Sequence, residues 1–120
     1  MNTSTLVIGA SENENRYSNL AIRKLSEKNI HVIALGLRKG KIGNVIIETE
    51  KKPFKNIDTV TLYINPIQQK MYYEYIINLK PNRVIFNPGT ENSEFEKLLS
   101  KNKINYQIAC TLVLLSINQY

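Results

Sequence analysis

The stretch Thr5-Leu6-Val7-Ile8-Gly9-Ala10-Ser11 decides the fold of this chain. Its first four residues form a short, continuous run rich in β-branched and apolar side chains, which is typical of a strand buried on both faces. Gly9 ends the run with the residue type that allows a tight turn. A buried strand closed by a glycine favours a parallel sheet covered by helices, so the rest of the chain should repeat the pattern.

Four further strand-like runs follow this stretch, and segments with helical periodicity separate most of them. The runs are 31–35 (HVIAL), 58–64 (DTVTLYI), 83–86 (RVIF) and a weaker one, 105–109 (NYQIA). Strands that alternate with helices imply right-handed β-α-β units in an open sheet. We therefore predict a Rossmann-like α/β fold, with a mostly parallel five-stranded sheet and helices on both faces, in three layers.

Four helices are predicted between and after these strands. Ser18 is placed as the cap of the first helix, which ends near Asn29. The second helix starts at Pro66 and should turn Ile67 and Met71 inward together with residues 75, 76 and 79. A third helix opens at Asn92 or Ser93, and residues 111–117 form a short terminal helix or, as the alternative for this apolar run, a strand.

The segment 36–58 lacks helical periodicity, because Gly40, Gly43 and Pro53 interrupt it. We predict a loop with short elements there, with residues 45–47 (VII) as a candidate extra strand.

Size and composition are those of one ordinary globular domain. A chain of 120 residues that is 42% hydrophobic can bury one core without disulfides or metals, so we predict a single domain over residues 1–120. The sequence shows no signal peptide and no apolar run long enough for a bilayer, and Cys110 is its only cysteine. We expect a cytoplasmic protein without a membrane partner.

Small and turn-forming residues follow every predicted strand. Ligands bind beyond the carboxyl ends of parallel strands, so these positions form the candidate site. They are Gly9-Ala10-Ser11, Gly36-Leu37-Arg38-Lys39, Asn65-Pro66, Asn87-Pro88-Gly89 and Cys110. Turns use the same residue types for structural reasons, but the repeated Asn-Pro pair favours a ligand site.

The first two strand ends indicate the chemistry of the ligand. A glycine followed by a helix start can hold a phosphate, and Arg16 can clamp a pyrophosphate, although only Gly9 matches the G-x-G-x-x-G fingerprint. After the second strand stand Arg38 and Lys39, where NAD-binding domains place an acid. Basic residues there fit the 3′-phosphate of coenzyme A or the 2′-phosphate of NADP.

The chain resembles the CoA-binding protein family, whose members share the nucleotide-binding domain of the succinyl-CoA synthetase α subunit. Five blocks carry this resemblance and span nearly the whole chain in the right order. They are 7–11 (VIGAS), 16–19 (RYSN), 59–66 (TVTLYINP), 84–92 (VIFNPGTEN) and 109–113 (ACTLV).

The resemblance implies coenzyme A or acyl-CoA as the ligand, and it assigns a part of this ligand to each group of site residues. The pyrophosphate would lie against Gly9, Ala10 and Ser11, near Arg16 and Ser18. Gly36, Leu37, Arg38 and Lys39 would approach the adenosine end, with Lys39 on the 3′-phosphate. Tyr63, Asn65 and Pro66 would flank the nucleotide, and Asn87, Pro88 and Gly89 would border the pantetheine arm.

Two departures from the family pattern limit what is carried over. Many relatives have Val-Asn-Pro after the second strand, where this chain has Leu35-Gly36-Leu37, so the adenine contacts stay open. The phosphate-carrying histidine of the synthetase belongs to a second domain, which has no counterpart among these residues, so that catalysis is not implied.

The residues themselves suggest no catalytic group and no metal site. His31, the only histidine, opens the second strand, while Cys110 follows the fifth. A five-residue strand spans about 17 Å, so the two should not meet. Cys110 is either a small packing residue or a thiol close enough to the ligand to form a mixed disulfide with CoA.

We therefore expect a non-catalytic CoA-binding module that acts as a carrier, a sensor or a partner subunit. The alternative is an NADP-binding oxidoreductase or redox sensor. Nucleic-acid binding, suggested only by the net charge of +6, has no supporting motif and is not expected. Tyr72, Tyr73 and Tyr75 are either the face of a homodimer or simply the core and surface of one helix.

Overall fold

Strand β1 (Ser4–Ala10) is the central strand of the sheet. The structure, a computed structural model, describes residues 3–120. In it β1 pairs in parallel with β2 (His31–Gly36) on one side and with β5 (Ile57–Leu62) on the other. Residues 6–8 of β1 are fully buried, since helices cover both faces of the sheet, as the continuous apolar run predicts.

The sheet has seven strands, in the order β3-β4-β2-β1-β5-β6-β7. The other four strands are β3 (Gly40–Ile42), β4 (Val45–Glu48), β6 (Arg83–Phe86) and β7 (Asn105–Ile108). All neighbours pair in parallel except β3 and β4, which form an antiparallel hairpin. The Rossmann-like α/β prediction is therefore confirmed.

The predicted number of five strands is wrong, because the segment after β2 adds a hairpin at the sheet edge. The candidate strand at residues 45–47 is confirmed as β4. Its partner β3 was not predicted, since a three-residue strand beginning with glycine carries no strand pattern. This hairpin replaces the helix that a regular β-α-β unit would have at this point.

Two layers of helix enclose the sheet. Helices α1 (Tyr17–Glu27) and α5 (Thr111–Ser116) contribute to one apolar cluster, through residues such as Ile22 and Leu115. Helices α3 (Tyr73–Leu79) and α4 (Ser93–Lys101) contribute to the cluster on the opposite face, through Ile76 and Phe95. Within residues 3–120, every helix is too short or too polar to serve as a membrane-spanning segment.

Helix α1 starts and ends differently from the prediction. Arg16 is its N-cap residue and makes no capping hydrogen bond with its side chain, whereas Ser18 lies inside the first turn and is buried. The prediction of Ser18 as the cap is therefore wrong by two positions. The helix ends at Glu27, and Asn29 adopts a left-handed backbone conformation that cannot extend it.

The helix predicted from Pro66 is broken into three pieces. Helix α2 (Pro66–Gln69) passes into a 3-10 turn (Lys70–Tyr72) before α3 begins. Since a 3-10 turn advances by a different angle per residue than an α-helix, it shifts the helical face. Ile67 and Met71, predicted to point inward, are 80% and 60% exposed, and Gln69 is buried in their place.

The remaining helix predictions are confirmed. Asn92 caps α4, with its Oδ1 accepting a hydrogen bond from the Phe95 N–H at 3.1 Å. Tyr72 is buried and Tyr73 stacks on Phe95 with ring centres 4.4 Å apart. Both tyrosines thus take part in packing within the chain, and the alternative of a homodimer face stays a prediction.

Replacement of Gly36 by alanine tests the closest backbone approach in the sheet. A β-carbon at Gly36 would overlap the Ala10 carbonyl oxygen, so Gly36→Ala should lower the free energy of unfolding by about 1–3 kcal/mol. Urea unfolding followed by circular dichroism measures this. Gly43→Asn, in the open hairpin between β3 and β4, is the control, and an equal loss in both variants would contradict the expectation.

Candidate functional site

Five parallel strands end level with one another, which brings the predicted site residues to one edge of the sheet. The register aligns Ile8 of β1 with Leu35 and Leu62, and it continues through Phe86 to Ile108. We call the loops beyond this row the carboxyl edge; they are residues 9–16, 37–39, 63–66, 87–92 and 109–110. In open sheets of this kind, ligands bind at such an edge where strand order reverses, which here is β1.

The backbone packs closely at the middle of the carboxyl edge, around Gly9 and Gly36, which we call the glycine floor. Gly9 has φ +98°, and a β-carbon there would lie 2.9 Å from the Tyr63 carbonyl oxygen. The Tyr63 N–H in turn donates to the Ile8 carbonyl at 2.9 Å, and Ala10 pairs with Gly36 across the neighbouring strand. At both glycines the space that a β-carbon would take is filled by neighbouring protein atoms, so the missing side chains let the main chains pack closely.

The first loop is ordered by its own hydrogen bonds. The Ser11 hydroxyl accepts a hydrogen bond from the Asn13 N–H at 3.1 Å, and the Arg16 N–H donates to the Asn13 carbonyl at 3.0 Å. Beneath the loop, the buried Asn19 donates its amide to the Ser11 carbonyl at 2.9 Å. The first turn of α1 follows, with Arg16 exposed beside it and Ser18 buried. Ser11 and Arg16 therefore stand at the site, whereas Ser18 faces the core.

The first loop also carries an acid that the sequence argument did not count. The Glu12 carboxylate accepts a hydrogen bond from the Lys41 N–H at 3.0 Å, and a β-carbon at Gly40 would overlap it. Glu12 thus crosses from the first loop to strand β3. The sequence showed no acid after β2 until Glu48, but this one reaches the same region from an earlier loop.

The basic residues after β2 are exposed. Leu37, Arg38 and Lys39 all lie on the surface, and Leu37 is 82% exposed. Lys39 lines a shallow cleft of about 210 Å³ together with Glu48 and Glu50. The positive charge of Lys39 therefore lies close to two carboxylates as well as in a loop of the carboxyl edge.

The second basic cluster, at residues 51–55, has structural partners. Lys51 donates to the Met71 carbonyl and lies 4.9 Å from the centre of the Tyr72 ring. Lys52 pairs with Glu48 at 2.9 Å, which raises the pKa of Lys52 chiefly through that hydrogen bond. These contacts give both lysines a role in packing the segment after β4.

The asparagines of the two Asn-Pro pairs have different structural roles. Asn65 forms a capping box with Gln68, in which its Oδ1 accepts the Gln68 N–H at 2.9 Å and Pro66 opens the helix. Asn87 is buried, and its Nδ2 donates to the Thr61 hydroxyl at 2.7 Å and the Leu62 carbonyl at 2.9 Å. The repetition thus reflects a helix start in one place and a buried link in the other.

Asn87 joins three elements under the carboxyl edge. Besides its two bonds to β5, its Oδ1 accepts the Thr111 N–H of α5 at 2.9 Å. The side chain is satisfied within the protein, so it shapes the loop that follows rather than offering an amide to a ligand. The surface of that loop is formed by Pro88 and Gly89, which are both exposed.

Tyr63 directs its ring into the core rather than onto the edge. It packs against the cluster that contains Val7 and Leu115, and its buried hydroxyl has no well-formed hydrogen bond among residues 3–120. Burial raises the pKa of Tyr63 to about 12, although the nearby hydroxyls of Thr111 and Thr61 act in the opposite direction. The phenol is therefore protonated at neutral pH.

Cys110 and His31 stand at opposite ends of the sheet, as predicted. Cys110 is half-buried at the carboxyl edge, just before α5, and His31 begins β2 with its Nδ1 hydrogen-bonded to the Ser4 hydroxyl at 2.7 Å. The histidine therefore cannot activate the thiol. Within the described part of the chain, no three His, Cys, Asp or Glu side chains gather as metal ligands.

The sequence argument missed the buried polar residues that support the site. The residues that share this role are Asn19, Thr61, Gln69 and Thr111, together with Asn92, which was predicted only as a helix start. Their sequence signal is weak, because a single polar residue in a periodic apolar segment also fits the solvent side of a helix. The broken helix after Pro66 concealed Gln69 in particular.

Comparison with known proteins places this site in a family. Residues 3–116 match the sequence profile of a CoA binding domain. A crystal structure of a protein described as uncharacterized is 46% identical, superposes with a TM-score of 0.95, and the match covers 100% of this chain and 99% of that one. No protein with a curated description matched the sequence.

More distant structures share the fold alone. A Thermus thermophilus protein has a TM-score of 0.80 at 18% identity, with 98% of this chain and 91% of that chain covered. A hypothetical protein from Pyrococcus horikoshii has a TM-score of 0.79 at 22% identity, with 91% and 77% covered. The profile match covers nearly the whole chain and includes every loop of the carboxyl edge, so the chain belongs to the family of CoA binding domains.

Proposed function

We propose that this protein is a non-catalytic module that holds coenzyme A or an acyl-CoA at the carboxyl edge, as a carrier, a sensor or a partner subunit. The observation that carries this proposal is the backbone floor at Gly9 and Gly36, which lies beside an ordered loop in a chain of the CoA-binding family. Glycine at the end of a first strand permits the tight turn and the close backbone approach that binding of a pyrophosphate requires.

Charge supports a polyanionic ligand. Arg16 and Lys39 are both exposed in loops of the carboxyl edge, and the chain carries a net charge of +6. Guanidinium groups bind phosphates through paired hydrogen bonds, and lysine acts as a point charge. Arg16 is the proposed partner of the pyrophosphate, and Lys39 that of the 3′-phosphate.

The state of the polar groups supports binding rather than catalysis. The Asn87 and Asn65 side chains are committed to hydrogen bonds within the protein. The Tyr63 phenol, with a pKa of about 12, is poorly suited to exchange a proton at neutral pH. Cys110 has no histidine within reach, since His31 lies at the other end of the sheet.

Calorimetric titration with CoA, NADP and NAD tests the ligand assignment. We expect CoA to bind, and Lys39→Ala to weaken it about tenfold, the effect of roughly 1.4 kcal/mol from one lost charged contact. Lys101→Ala removes the same charge at the last turn of α4 and should leave the affinity unchanged.

Each other outcome of this titration contradicts a part of the proposal. Binding of NADP in place of CoA would indicate a redox role. Binding of none of the three would reject the nucleotide site. An equal loss of CoA affinity in Lys39→Ala and Lys101→Ala would show that only the overall charge of the protein matters. A parallel titration with duplex DNA would then measure how strongly this charge binds a nonspecific polyanion.

Cys110 reports whether the thiol end of the ligand reaches the start of α5. On incubation with CoA disulfide, the Cys110 thiolate would attack one sulfur, form a mixed disulfide and release one CoA thiolate. We expect a single adduct by intact-mass measurement, none in Cys110→Ala, and reversal by a reductant. Since Cys110 is the only cysteine, an adduct that persists in the variant, or none in the unmodified protein, would contradict this placement.

A further inference from the structure

Gln69 is a fully buried amide between two loops of the carboxyl edge. Its Nε2 donates one hydrogen to the Ile64 carbonyl at 2.9 Å and the other to the Thr90 carbonyl at 2.8 Å. Its Oε1 accepts a hydrogen bond from Asn92 at 2.9 Å. Both of its hydrogens are used, and its oxygen is paired, so the side chain is held in a single orientation.

Asn92 completes this arrangement from the other side. Its Nδ2 donates to Gln69 and also to the Tyr73 hydroxyl at 2.8 Å, while its Oδ1 caps α4 through the Phe95 N–H. We call Gln69 and Asn92 the amide brace. A buried network in which every group is paired resists rearrangement, because each broken bond would leave an unpaired polar atom.

The amide brace links the loop after β5 to the loop after β6. Ile64 directly precedes the Asn65-Pro66 turn, and Thr90 directly follows Gly89. Thr90 is itself tied back to the Asn87 carbonyl, through its N–H at 2.9 Å and its hydroxyl at 2.8 Å. The exposed Pro88 and Gly89 therefore lie between two residues, Asn87 and Thr90, that hydrogen bonds hold in place.

We propose that Gln69 is a positioning residue, which holds Pro88 and Gly89 in place for the arm of the ligand beyond the pyrophosphate. This inference rests on the proposed function, since it concerns the same carboxyl edge. Among the loops of the carboxyl edge, the brace bonds those after β5 and β6, whereas the adenosine end is assigned to the loops after β1 and β2. Its effect should therefore fall on one half of the ligand.

Titration with CoA and with adenosine 3′,5′-bisphosphate, the adenosine half of CoA, separates the two halves. In Gln69→Leu, which removes both donors, we expect CoA to bind about tenfold more weakly, as for the loss of one hydrogen-bonded support. Binding of adenosine 3′,5′-bisphosphate should stay within about twofold of the unmodified protein, a change below the size of one net hydrogen bond. Equal losses for both ligands, or no loss for either, would overturn the inference.

Asn92→Asp provides a second variant, which keeps the cap of α4. Aspartate caps a helix as well as asparagine does, so α4 should remain, while the donors to Gln69 and Tyr73 are lost. The same selective loss of CoA affinity is expected. If Gln69→Leu does not fold, this variant decides the question by itself.

Thr59→Val is the matched control for loss of a buried hydrogen bond. Thr59 is fully buried and bonds Asp58 and Arg83 near the opposite end of β5. The Thr59→Val change should lower the melting temperature but leave the ratio of the affinities for CoA and adenosine 3′,5′-bisphosphate unchanged. A shifted ratio would show that general destabilisation has the same effect as loss of the amide brace. Failure of the unmodified protein to bind CoA would instead reject the proposed function together with this inference.

Discussion

The pairing of β1 with β2 and β5 is the constraint on which the rest of the structure depends. Both neighbours run parallel to β1 and end level with it, so three loops leave the sheet at one place. Only glycine fits where the main chains touch, at positions 9 and 36, because a β-carbon there would overlap a carbonyl group or press closely against one. The packing that completes the sheet therefore requires glycine at its carboxyl edge, and the glycine floor results from the same contacts as the core.

Beneath the glycine floor, buried side-chain amides provide further connections between the elements. Asn87 joins β5, β6 and α5, Asn19 supports the first loop, and the amide brace connects the next two loops. Each of these amides is buried and paired, so each adds to the hydrogen bonds that fix the loops. The surface offered to a ligand is thus built from loops held from beneath, with exposed charge from Arg16 and Lys39 at its sides.

The fold could be predicted from the sequence where burial dictates a pattern. The apolar runs at β1, β2, β5 and β6 specify buried parallel strands, and the capping asparagine at residue 92 specifies α4. Strand β3 and the break at residues 70–72 could not be predicted, since three-residue elements have no period to detect. The loops of the site were located by their turn residues, but the inward orientation of Ser18, Tyr63 and Asn87 depends on tertiary contacts that no local pattern encodes.

The contact between Glu12 and Gly40 has a consequence for substitutions at position 40. The carboxyl group lies directly on the glycine and accepts the N–H of the next residue, so the two positions, 28 apart in the chain, share one space. Because Glu12 is exposed and flexible, a residue with a β-carbon at position 40 would displace its carboxyl group and leave the backbone in place. The hydrogen bond to the Lys41 N–H would then be lost, and with it this link between the first loop and the edge of the sheet.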